Sequence, residues 1–450
     1  MKELKFYVMA DPHYFASELG CSGEEYEDFM HYEQKCFAET ESINKSVFSF
    51  LEKADEADIV LIAGDLIFNG EAKSHEGFLK LLYGLKESGK KIYVVTADHD
   101  FKWSDGETFA FSDSGRYSPE RTERHELPEL YRDFGFGDAI ARDDEHLSYV
   151  AQLSEGVRLL ALNCDFKEGG KYLFRPEQWD WIAEQTKKAR EENQMMIAMC
   201  HYPIQPGQPL FSIISPMVIK DAHSFATFLA DEGVALIFTG HMHNQSINLL
   251  ETEKGNKIYE VTTGSVIADP AFIRHVTLSD GKASIKSIPT PDFEWNTDDC
   301  KQYLSDMFDR MIVNVLTDMR DDTERMMNKF HLEDKGATKK LLNTAGKLVC
   351  GIKIGTLSKM LFIRCDKSIR RMKLLDYATV FVRNIFEGNQ PFKEGTAEGD
   401  VFLALLKRIK PVLRKISVNG WDGNKADLYE ILKNTAGNYG IDDYNAELEW

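Results

Sequence analysis

The chain has 450 residues, of which 43% are apolar and 11% aromatic. This is enough apolar material for large cores and excludes a disordered chain. With 54 Lys and Arg against 73 Asp and Glu, the formal net charge is −19. That acidic balance disfavours non-specific binding to nucleic acid and docking on an anionic membrane surface.

Charge differs strongly between the two ends of the chain. Residues 301–450 contain 25 Lys or Arg and 21 Asp or Glu, which leaves this part at net +4 and residues 1–300 at net −23. A change on this scale indicates two structural units, with the acidic one first.

Up to about residue 290, short β-rich runs alternate with amphipathic stretches. Some runs are continuously apolar, such as Ile59–Ala63, as expected for strands covered on both faces. The predicted strands are 5–10, 58–63, 91–96, 147–152, 157–163, 195–200, 234–239, 257–262 and 283–287. The predicted helices between them are 46–57, 74–88, 176–192 and 221–232. This alternation is typical of an α/β fold.

Beyond Pro289-Thr290-Pro291 the pattern becomes helical. The predicted helices there are 298–328, 337–362, 368–387, 399–416 and 425–436. We therefore predict an α/β domain over 1–295 and a second, smaller all-α domain over 296–450. A basic stretch at 347–373 either faces the acidic domain or forms a solvated helix face.

Cysteine usage and hydropathy bear on the compartment. The seven cysteines are scattered and form no Cys-x-x-Cys pair, which disfavours a zinc ribbon or a disulfide framework. The apolar run at residues 6–10 is too short for a secretory signal, and no stretch approaches a membrane span. We expect a cytoplasmic protein.

Carboxylates and imidazoles recur at the ends of the predicted strands. They are Asp11 and His13 after 5–10, Asp65 after 58–63, Asp98, His99 and Asp100 after 91–96, His201 after 195–200, and His241 and His243 after 234–239. In α/β sheets the carboxyl ends of strands are where ligands bind. One such residue alone is more often an ordinary loop residue, but five strand ends of this kind indicate a functional site.

The residue types indicate metal binding. Imidazoles and carboxylates without thiolates suit Zn²⁺, Mn²⁺, Fe or Ni. About seven ligands exceed the needs of one tetrahedral ion and fit two ions that share a carboxylate. Such pairs lie ~3.5–4 Å apart, clamp the attacking and leaving oxygens of a phosphoester, and acidify bound water.

At this point the chain resembles the calcineurin-like metallophosphoesterases. The motifs Asp-x-His, Gly-Asp, X-Asp-His-Asp, His-x-Pro and Gly-His-x-His occur in that order, within residues 5–290. The resemblance implies a four-layer αββα sandwich with two divalent or mixed-valence transition-metal ions. It also implies hydrolysis of a small phosphorylated substrate by a hydroxide that bridges the two ions.

The resemblance assigns metal ligands position by position. The ligands of the first metal would be Asp11, His13 and His243. Asp65 would bridge the two metals. The second metal would be held by Asp98, His201 and His241.

The third strand is followed by the residues that the resemblance makes catalytic. His99 would act as general acid to the leaving oxygen or as donor to the phosphoryl group, and Asp100 would orient its imidazole. The family turn reads Gly-Asn-His-Asp/Glu, whereas this chain has Ala97-Asp98-His99-Asp100. An ionised Asp98 makes the loaded site less positive. Ala97 costs stability if the turn needs a positive φ.

Three interpretations of the site remain open. They are ordinary phosphoesterase activity with a modified metal choice, weakened or narrowed activity, and a metal- or phosphate-binding regulatory protein that no longer catalyses. The substrate stays open between monoesters, diesters, cyclic nucleotides and phospholipid headgroups. We also expect the long segment 14–40 to pack over the centre, where Tyr14, His31 and Tyr32 either touch substrate or cover the sheet edge.

Overall fold

The computed structural model describes residues 2–101, 108–213, 218–330, 336–389, 392–414, 416–436 and 440–450. The strands in these ranges are β1 (Leu4–Met9), β2 (Ile59–Ala63), β3 (Lys91–Val95), β4 (Ala110–Ser112), β5 (Gly115–Tyr117), β6 (Ala141–Asp143), β7 (Ser148–Ser154), β8 (Val157–Leu162), β9 (Phe166–Glu168), β10 (Lys171–Leu173), β11 (Met195–Cys200), β12 (Leu236–Thr239), β13 (Ser246–Glu251), β14 (Lys257–Thr262), β15 (Phe272–Ser279), β16 (Lys282–Pro289), β17 (Ser417–Asn419), β18 (Lys425–Asp427) and β19 (Asn445–Glu449).

The α-helices flank the sheets and dominate the C-terminal part. They are α1 (Glu24–Met30), α2 (Thr40–Lys53), α3 (Ala72–Glu87), α4 (Leu127–Leu130), α5 (Pro176–Glu191), α6 (Ala222–Asp231), α7 (Cys300–Asp321), α8 (Thr323–Lys329), α9 (Gly336–Gly351), α10 (Ile354–Met360), α11 (Leu374–Glu387), α12 (Ala397–Leu413) and α13 (Leu428–Thr435). Local signals start several of them: Pro176 is in the first turn of α5, and Asp299 caps α7 by accepting from Gln302 N.

Two mixed sheets form the centre of the fold. The first has the order β19-β16-β15-β1-β2-β3, and the second β13-β14-β12-β11-β8-β7-β6. β1, β2 and β3 are parallel to one another, as are β8, β11, β12 and β14. The parallel strands of each sheet therefore end at one edge.

Apolar side chains hold the layers together. Phe6 of β1 and Phe238 of β12 are fully buried, and their rings meet edge to face with centroids 5.5 Å apart. Helix α2 buries Ile43, Val47 and Leu51 at a spacing of four residues, as expected for a helix that packs on a sheet. Helices α5 and α6 cover the second sheet in the same way. The result is the expected four-layer αββα sandwich.

The nine predicted strands all form, with shifts of one or two residues at most ends. β15 is absent from the prediction because the polar residues Arg274 and His275 interrupt its apolar pattern. Both are buried, so tertiary contacts, and not propensity, make this segment a strand.

The C-terminal region is mainly helical, as predicted, with two exceptions. β17 and β18 form a hairpin, and β19 leaves the helices to pair antiparallel with β16 at the edge of the first sheet. The division at residue 295 therefore stays a prediction, because main-chain bonds join the two parts. The eight basic side chains of 347–373 are exposed, as expected for a solvated face. None of the described helices is long and apolar enough to span a bilayer.

Candidate metal centre

The parallel strands bring the predicted ligands to one edge. Asp11 and His13 follow β1, and Asp65 follows β2. His201 and His243 follow β11 and β12 in the facing sheet. All five side chains are buried, with 4% exposure or less. The two sheets thus converge on a buried cluster of imidazoles and carboxylates.

Asp11, His13 and His243 form one group that could hold an ion. The Nε2 atoms of His13 and His243 face each other at 3.1 Å. Asp11 Oδ1 lies 3.3 Å from His243 Nε2 and 3.8 Å from His13 Nε2. Three donor atoms so close together match the first predicted ligand group.

Asp65 lies at the centre of the cluster. Its Oδ2 atom is 3.0 Å from His201 Nε2, 3.6 Å from His13 Nε2 and 4.0 Å from His99 Nε2. Asp65 belongs to two groups of side chains that could hold an ion, one with His13 and His99 and the other with His201 and His241. It is therefore shared between the two groups, which is the position a bridging ligand needs.

Backbone hydrogen bonds orient the imidazoles. His201 Nδ1 lies 2.9 Å from the carbonyl oxygen of Ala63, to which it can only donate. This fixes the tautomer and leaves Nε2 to face Asp65. The carbonyl of Asp11 in turn accepts from Ser265 Oγ at 2.7 Å.

The cluster is built on unusual backbone conformations. Five of its residues have positive φ, between 38° and 67°: Asp11, His13, Asp65, His241 and His243. Such conformations are uncommon for residues other than glycine and persist where the surrounding structure enforces them. Their concentration here is typical of functional sites.

Two glycines allow the strand ends to approach each other. A Cβ on Gly240 would lie 2.3 Å from Asp11 Oδ2, and one on Gly64 would lie 2.6 Å from His201 Cβ. Gly64 also has a φ of +86°. These contacts explain why glycine precedes both Asp65 and His241.

Charge pairing is strongest between Asp65 and His201. Burial lowers the pKa of His201, but Asp65 and Asp11 outweigh it and raise this pKa to about 10. Burial likewise raises the pKa of Asp65, yet His201 and His99 hold it well below its usual range. Burial lowers the pKa of His241 to about 3. A neutral imidazole, as at His241, is the form that binds a metal.

The residues present fit metal ions. Asp65 Oδ1 is buried and has no hydrogen-bond partner among the described residues. Such an orphaned carboxylate oxygen is costly unless a cation compensates it. Imidazole nitrogens and carboxylate oxygens are a donor set that Zn²⁺, Mn²⁺, Fe and Ni accept.

Asp98 lies near the cluster but belongs to none of the ligand groups found among the described residues. Its Oδ1 accepts from Tyr202 Oη at 2.7 Å. Its Oδ2 accepts from Tyr172 Oη at 2.5 Å and from Lys167 Nζ at 3.1 Å. The carboxylate that the family resemblance assigned to the second metal thus accepts hydrogen bonds from two tyrosines and a lysine.

His99 and Asp100 differ in part from their expected arrangement. His99 Nε2 points toward Asp65, but its Nδ1 donates to the carbonyl of Phe68 at 2.5 Å. Asp100 accepts instead from the backbone N–H groups of Ala97, at 2.8 Å, and Ile67, at 3.1 Å. Phe68, and not Asp100, therefore orients His99, because the short turn directs the carboxylate of Asp100 back to its own backbone. Ala97 has a φ of −139°, so alanine causes no strain there.

Sequence reasoning missed several neighbours of the cluster. The side-chain amide of Gln34 lies 2.6 Å from His243 Nδ1. Lys35 is buried, with its Nζ 4.8 Å from the centroid of the Phe68 ring, and its charge contributes to the lowered pKa of His13. Lys167 was detectable in principle, because it follows the apolar strand β8, which ends at the same edge.

The segment 14–40 covers the edge of the cluster, as expected. His31 and Tyr32 point away from it. His31 Nε2 and Tyr32 Oη each form a hydrogen bond with Asp318 Oδ2 of α7, at 2.7 and 2.5 Å. Of the two alternatives for these side chains, the structure favours the covering role. They connect the segment to the C-terminal helices.

A comparison with known protein families agrees with this fold. The model of the calcineurin-like phosphoesterase family matches residues 4–245, which is more than half of the chain. The chain therefore belongs to the calcineurin-like phosphoesterase family.

Individual relatives are distant. The chain is 21% identical over 281 residues to the uncharacterized metallophosphoesterase-like protein YydB of Bacillus subtilis (strain 168), which covers 55% of this chain and 54% of that protein. The chain thus spans about half the length of this curated relative. A dimetal phosphatase from Danio rerio is 12% identical, with a TM-score of 0.45 over 64% of this chain and 97% of its own. Purple acid phosphatase PPD1 from yellow lupin (Lupinus luteus) is 16% identical, with a TM-score of 0.42 over 65% of this chain and 52% of its own.

Proposed function

We propose that this protein hydrolyses phosphoester bonds with two divalent metal ions. The observation that carries the proposal is the position of Asp65 Oδ2, within 4.0 Å of the Nε2 atoms of His13, His99 and His201. A buried carboxylate shared in this way suits a ligand common to two ions. Membership of the calcineurin-like phosphoesterase family supports the reaction class.

The residues would divide between the two ions as follows. Asp11, His13 and His243 would hold the first, and His201 and His241 would hold the second together with Asp98 as an additional ligand. Asp65 would be a ligand common to both ions. Two bound divalent ions supply acidified water and positive charge for the phosphoryl oxygens. Mn, Fe, Zn and Ni all suit this donor set.

His99 would assist the leaving group. The Phe68 carbonyl holds Nδ1–H, so Nε2 faces the cluster, where a substrate would lie. Burial lowers the pKa of His99, which keeps the imidazole neutral until an anion approaches. A phosphoryl group beside it favours the imidazolium, which then donates its Nε2 proton to the leaving oxygen.

A second candidate is a metal- or phosphate-binding protein of the same fold with weak or no catalysis. The engagement of Asp98 by Tyr172, Tyr202 and Lys167 favours it, because a ligand held elsewhere weakens the second metal position. The substrate of the enzyme, in the first candidate, is a small phosphomonoester or phosphodiester.

The test combines metal analysis with hydrolysis. Protein stripped with a chelator is reloaded with Mn²⁺, Zn²⁺, Fe²⁺ or Ni²⁺ and assayed with p-nitrophenyl phosphate and bis-p-nitrophenyl phosphate. We expect two bound ions per chain, metal-dependent turnover of at least one compound, and loss of turnover in Asp65→Ala. Two bound ions without turnover would select the second candidate, and a chain that binds neither metal nor inorganic phosphate would contradict both.

A further inference from the structure

Asp98 is a buried carboxylate enclosed by three donors. Tyr172 and Tyr202 stack with ring centroids 3.6 Å apart, and each hydroxyl donates to a different oxygen of Asp98. Lys167 Nζ bonds to Oδ2 at 3.1 Å and lies 4.3 Å from the centroid of the Tyr172 ring. The Asp98 side chain is 6% exposed and that of Lys167 is 35% exposed. We call Lys167, Tyr172 and Tyr202 the Asp98 cage.

The cage stands beside the second ligand group. The ring centroids of Tyr202 and Tyr172 lie 4.8 Å and 5.8 Å from that of His241. A change of charge in the cage therefore acts directly on an ion held by His241.

Specific contacts hold the cage in place. Lys167 and Tyr172 lie on the hairpin β9–β10, where they are paired across the strands. Just before the hairpin, the Asn163 amide donates to the carbonyl of Thr96 at 2.6 Å, which ties this segment to the turn that carries Asp98. Arg124 binds Asp165 through two hydrogen bonds of 2.6 and 3.1 Å. The donors are therefore positioned by the fold and not by chance contact.

Charge and acceptor count suggest what the cage does. An ionised carboxylate offers roughly four acceptor sites, and the three donors leave about one. The lysine also cancels the negative charge. We propose that the Asp98 cage makes Asp98 equivalent to a neutral amide ligand at the second metal position, with Lys167 as a positioning residue; this inference rests on the proposed function.

The formal charge of the proposed metal centre depends on whether Asp98 is paired with Lys167. Two divalent ions with the carboxylates of Asp11 and Asp65 leave a charge of +2, and an unpaired Asp98 lowers it to +1. Lys167 returns it to +2. A more positive centre attracts a phosphate anion more strongly. The lysine therefore offsets the carboxylate that stands where the family has asparagine.

Single substitutions test the balance through opposite effects. Lys167→Met uncovers the negative charge, so we expect Mn²⁺ to bind the second position about tenfold more tightly and inorganic phosphate to bind the Mn²⁺-loaded protein about tenfold more weakly. Asp98→Asn leaves the lysine unpaired and should shift both affinities in the opposite direction. Equilibrium dialysis or titration calorimetry measures both affinities, without any assay of turnover.

The double variant separates charge from structural damage. Asp98→Asn combined with Lys167→Met should return both affinities to within about threefold of the wild type, and Lys167→Arg should resemble the wild type. Lys220→Met is the matched control, because Lys220 bonds to Glu168 on the same hairpin at 2.6 Å, on its exposed side. It should change neither affinity.

Stability of the chelator-stripped protein provides an independent measurement. Lys167→Met should lower its unfolding midpoint, because a buried carboxylate loses its cation, and Asp98→Asn in the same chain should restore it. If the wild type binds two Mn²⁺ ions but both single variants shift the affinities in one direction, or not at all, the cage proposal is wrong and the proposed function stands. If the wild type binds no metal, both are wrong.

Discussion

Asp65 is the residue on which the cluster depends most. Its Oδ2 lies within 4.0 Å of the Nε2 atoms of three imidazoles. Burial lowers the pKa of His201, and the charge of Asp65 is the largest of the effects that raise it. It also stands at a positive φ of 49°, which the surrounding structure must enforce. If the proposed function is right, a substitution here removes a ligand from both metal positions at once.

Asp65→Asn should reduce the bound metal from two ions to one or fewer. The amide keeps the shape of the side chain but loses the charge that two cations need. Metal content after dialysis against Mn²⁺, measured by atomic emission, checks this. Asp58→Asn, at the exposed position just before β2, is the control and should keep full occupancy. If Asp65→Asn still binds two metal ions, the Asp65 carboxylate is not the ligand shared by the two metal positions.

Glu71 is a second buried carboxylate with an unusual charge state. Burial raises its pKa to about 8, despite hydrogen bonds from its own backbone, Ser74 and Asn69. Its Oε1 is buried without a hydrogen-bond partner among the described residues. The folded protein therefore takes up a proton at Glu71 that the unfolded chain, with an ordinary pKa near 4.5, releases.

This difference makes stability depend on pH. Because the pKa of Glu71 is higher in the folded state, its contribution is fully present below about pH 4.5 and is lost as the pH rises to about 8. Glu71→Gln imitates the protonated acid and should increase the free energy of unfolding at pH 8.5 by about 1–3 kcal/mol. At pH 4.5 the difference from the wild type should vanish. Urea unfolding at both pH values measures it, and an equal effect at both would disprove the linkage.

The segment 14–40 is the element that joins the C-terminal helices to the ligands. Asp318 of α7 accepts from Tyr32 and pairs with His31. Asn314 of α7 donates to the carbonyl of His31 at 2.8 Å. Two residues after Tyr32, the amide of Gln34 contacts His243 Nδ1. This continuous set of bonds runs from α7 to a predicted ligand.

Gln34→Ala should weaken Mn²⁺ binding about tenfold. When His243 binds through Nε2, its Nδ1–H needs an acceptor, and rotation of the Gln34 amide by about 180° places the oxygen there. Partners of this kind typically contribute about 10- to 100-fold in metal affinity. Titration of the chelator-stripped protein gives the affinity. Glu27→Ala, on the exposed face of α1 in the same segment, should behave as the wild type.

At the scale of the whole molecule, Arg274 joins three parts of the fold. It is fully buried on β15 of the first sheet. Its Nη2 donates to the carbonyl of Thr262 in the second sheet at 2.7 Å. Its Nη1 donates to Ser287 Oγ and to the carbonyl of Asp443, which precedes β19, each at 2.6 Å. One side chain thus links both sheets to the last strand.

Arg274→Met should lower the free energy of unfolding by about 2–4 kcal/mol. The apolar chain fills most of the space but leaves two buried carbonyls without donors, and each unsatisfied group costs about 1–3 kcal/mol. Denaturant unfolding of the two proteins measures the loss. Arg132→Met is the control, because Arg132 is 64% exposed and pairs with Glu129 at the surface. A loss below about 1 kcal/mol would show that the carbonyls find other donors.

The local pattern of the chain determined the α/β class, the central strands and the order of the site residues. Apolar runs such as Ile59–Ala63 need burial on both faces, and parallel strands end at one edge whatever the details of packing. The polar residues that follow β1 and β2 therefore share one sheet edge and those that follow β11 and β12 share another, and the packing of the two sheets brings these edges together. The family resemblance added the assignment of Asp65 as the shared ligand, and in the structure Asp65 Oδ2 lies within 4.0 Å of the Nε2 atoms of His13, His99 and His201.

Only the tertiary structure decided the contacts between segments far apart in the sequence. Gln34 meets His243 across 209 positions, and Lys167 meets Asp98 across 69. β19 joins β16 through main-chain bonds that carry no side-chain signal. The sequence also could not show that the Phe68 carbonyl, and not Asp100, accepts from the His99 imidazole, because this contact too depends on how separate segments pack. Periodicity records which face of an element is buried, whereas the partner of a polar group depends on how distant elements pack, and this is why the surroundings of Asp98 became visible only in the folded chain.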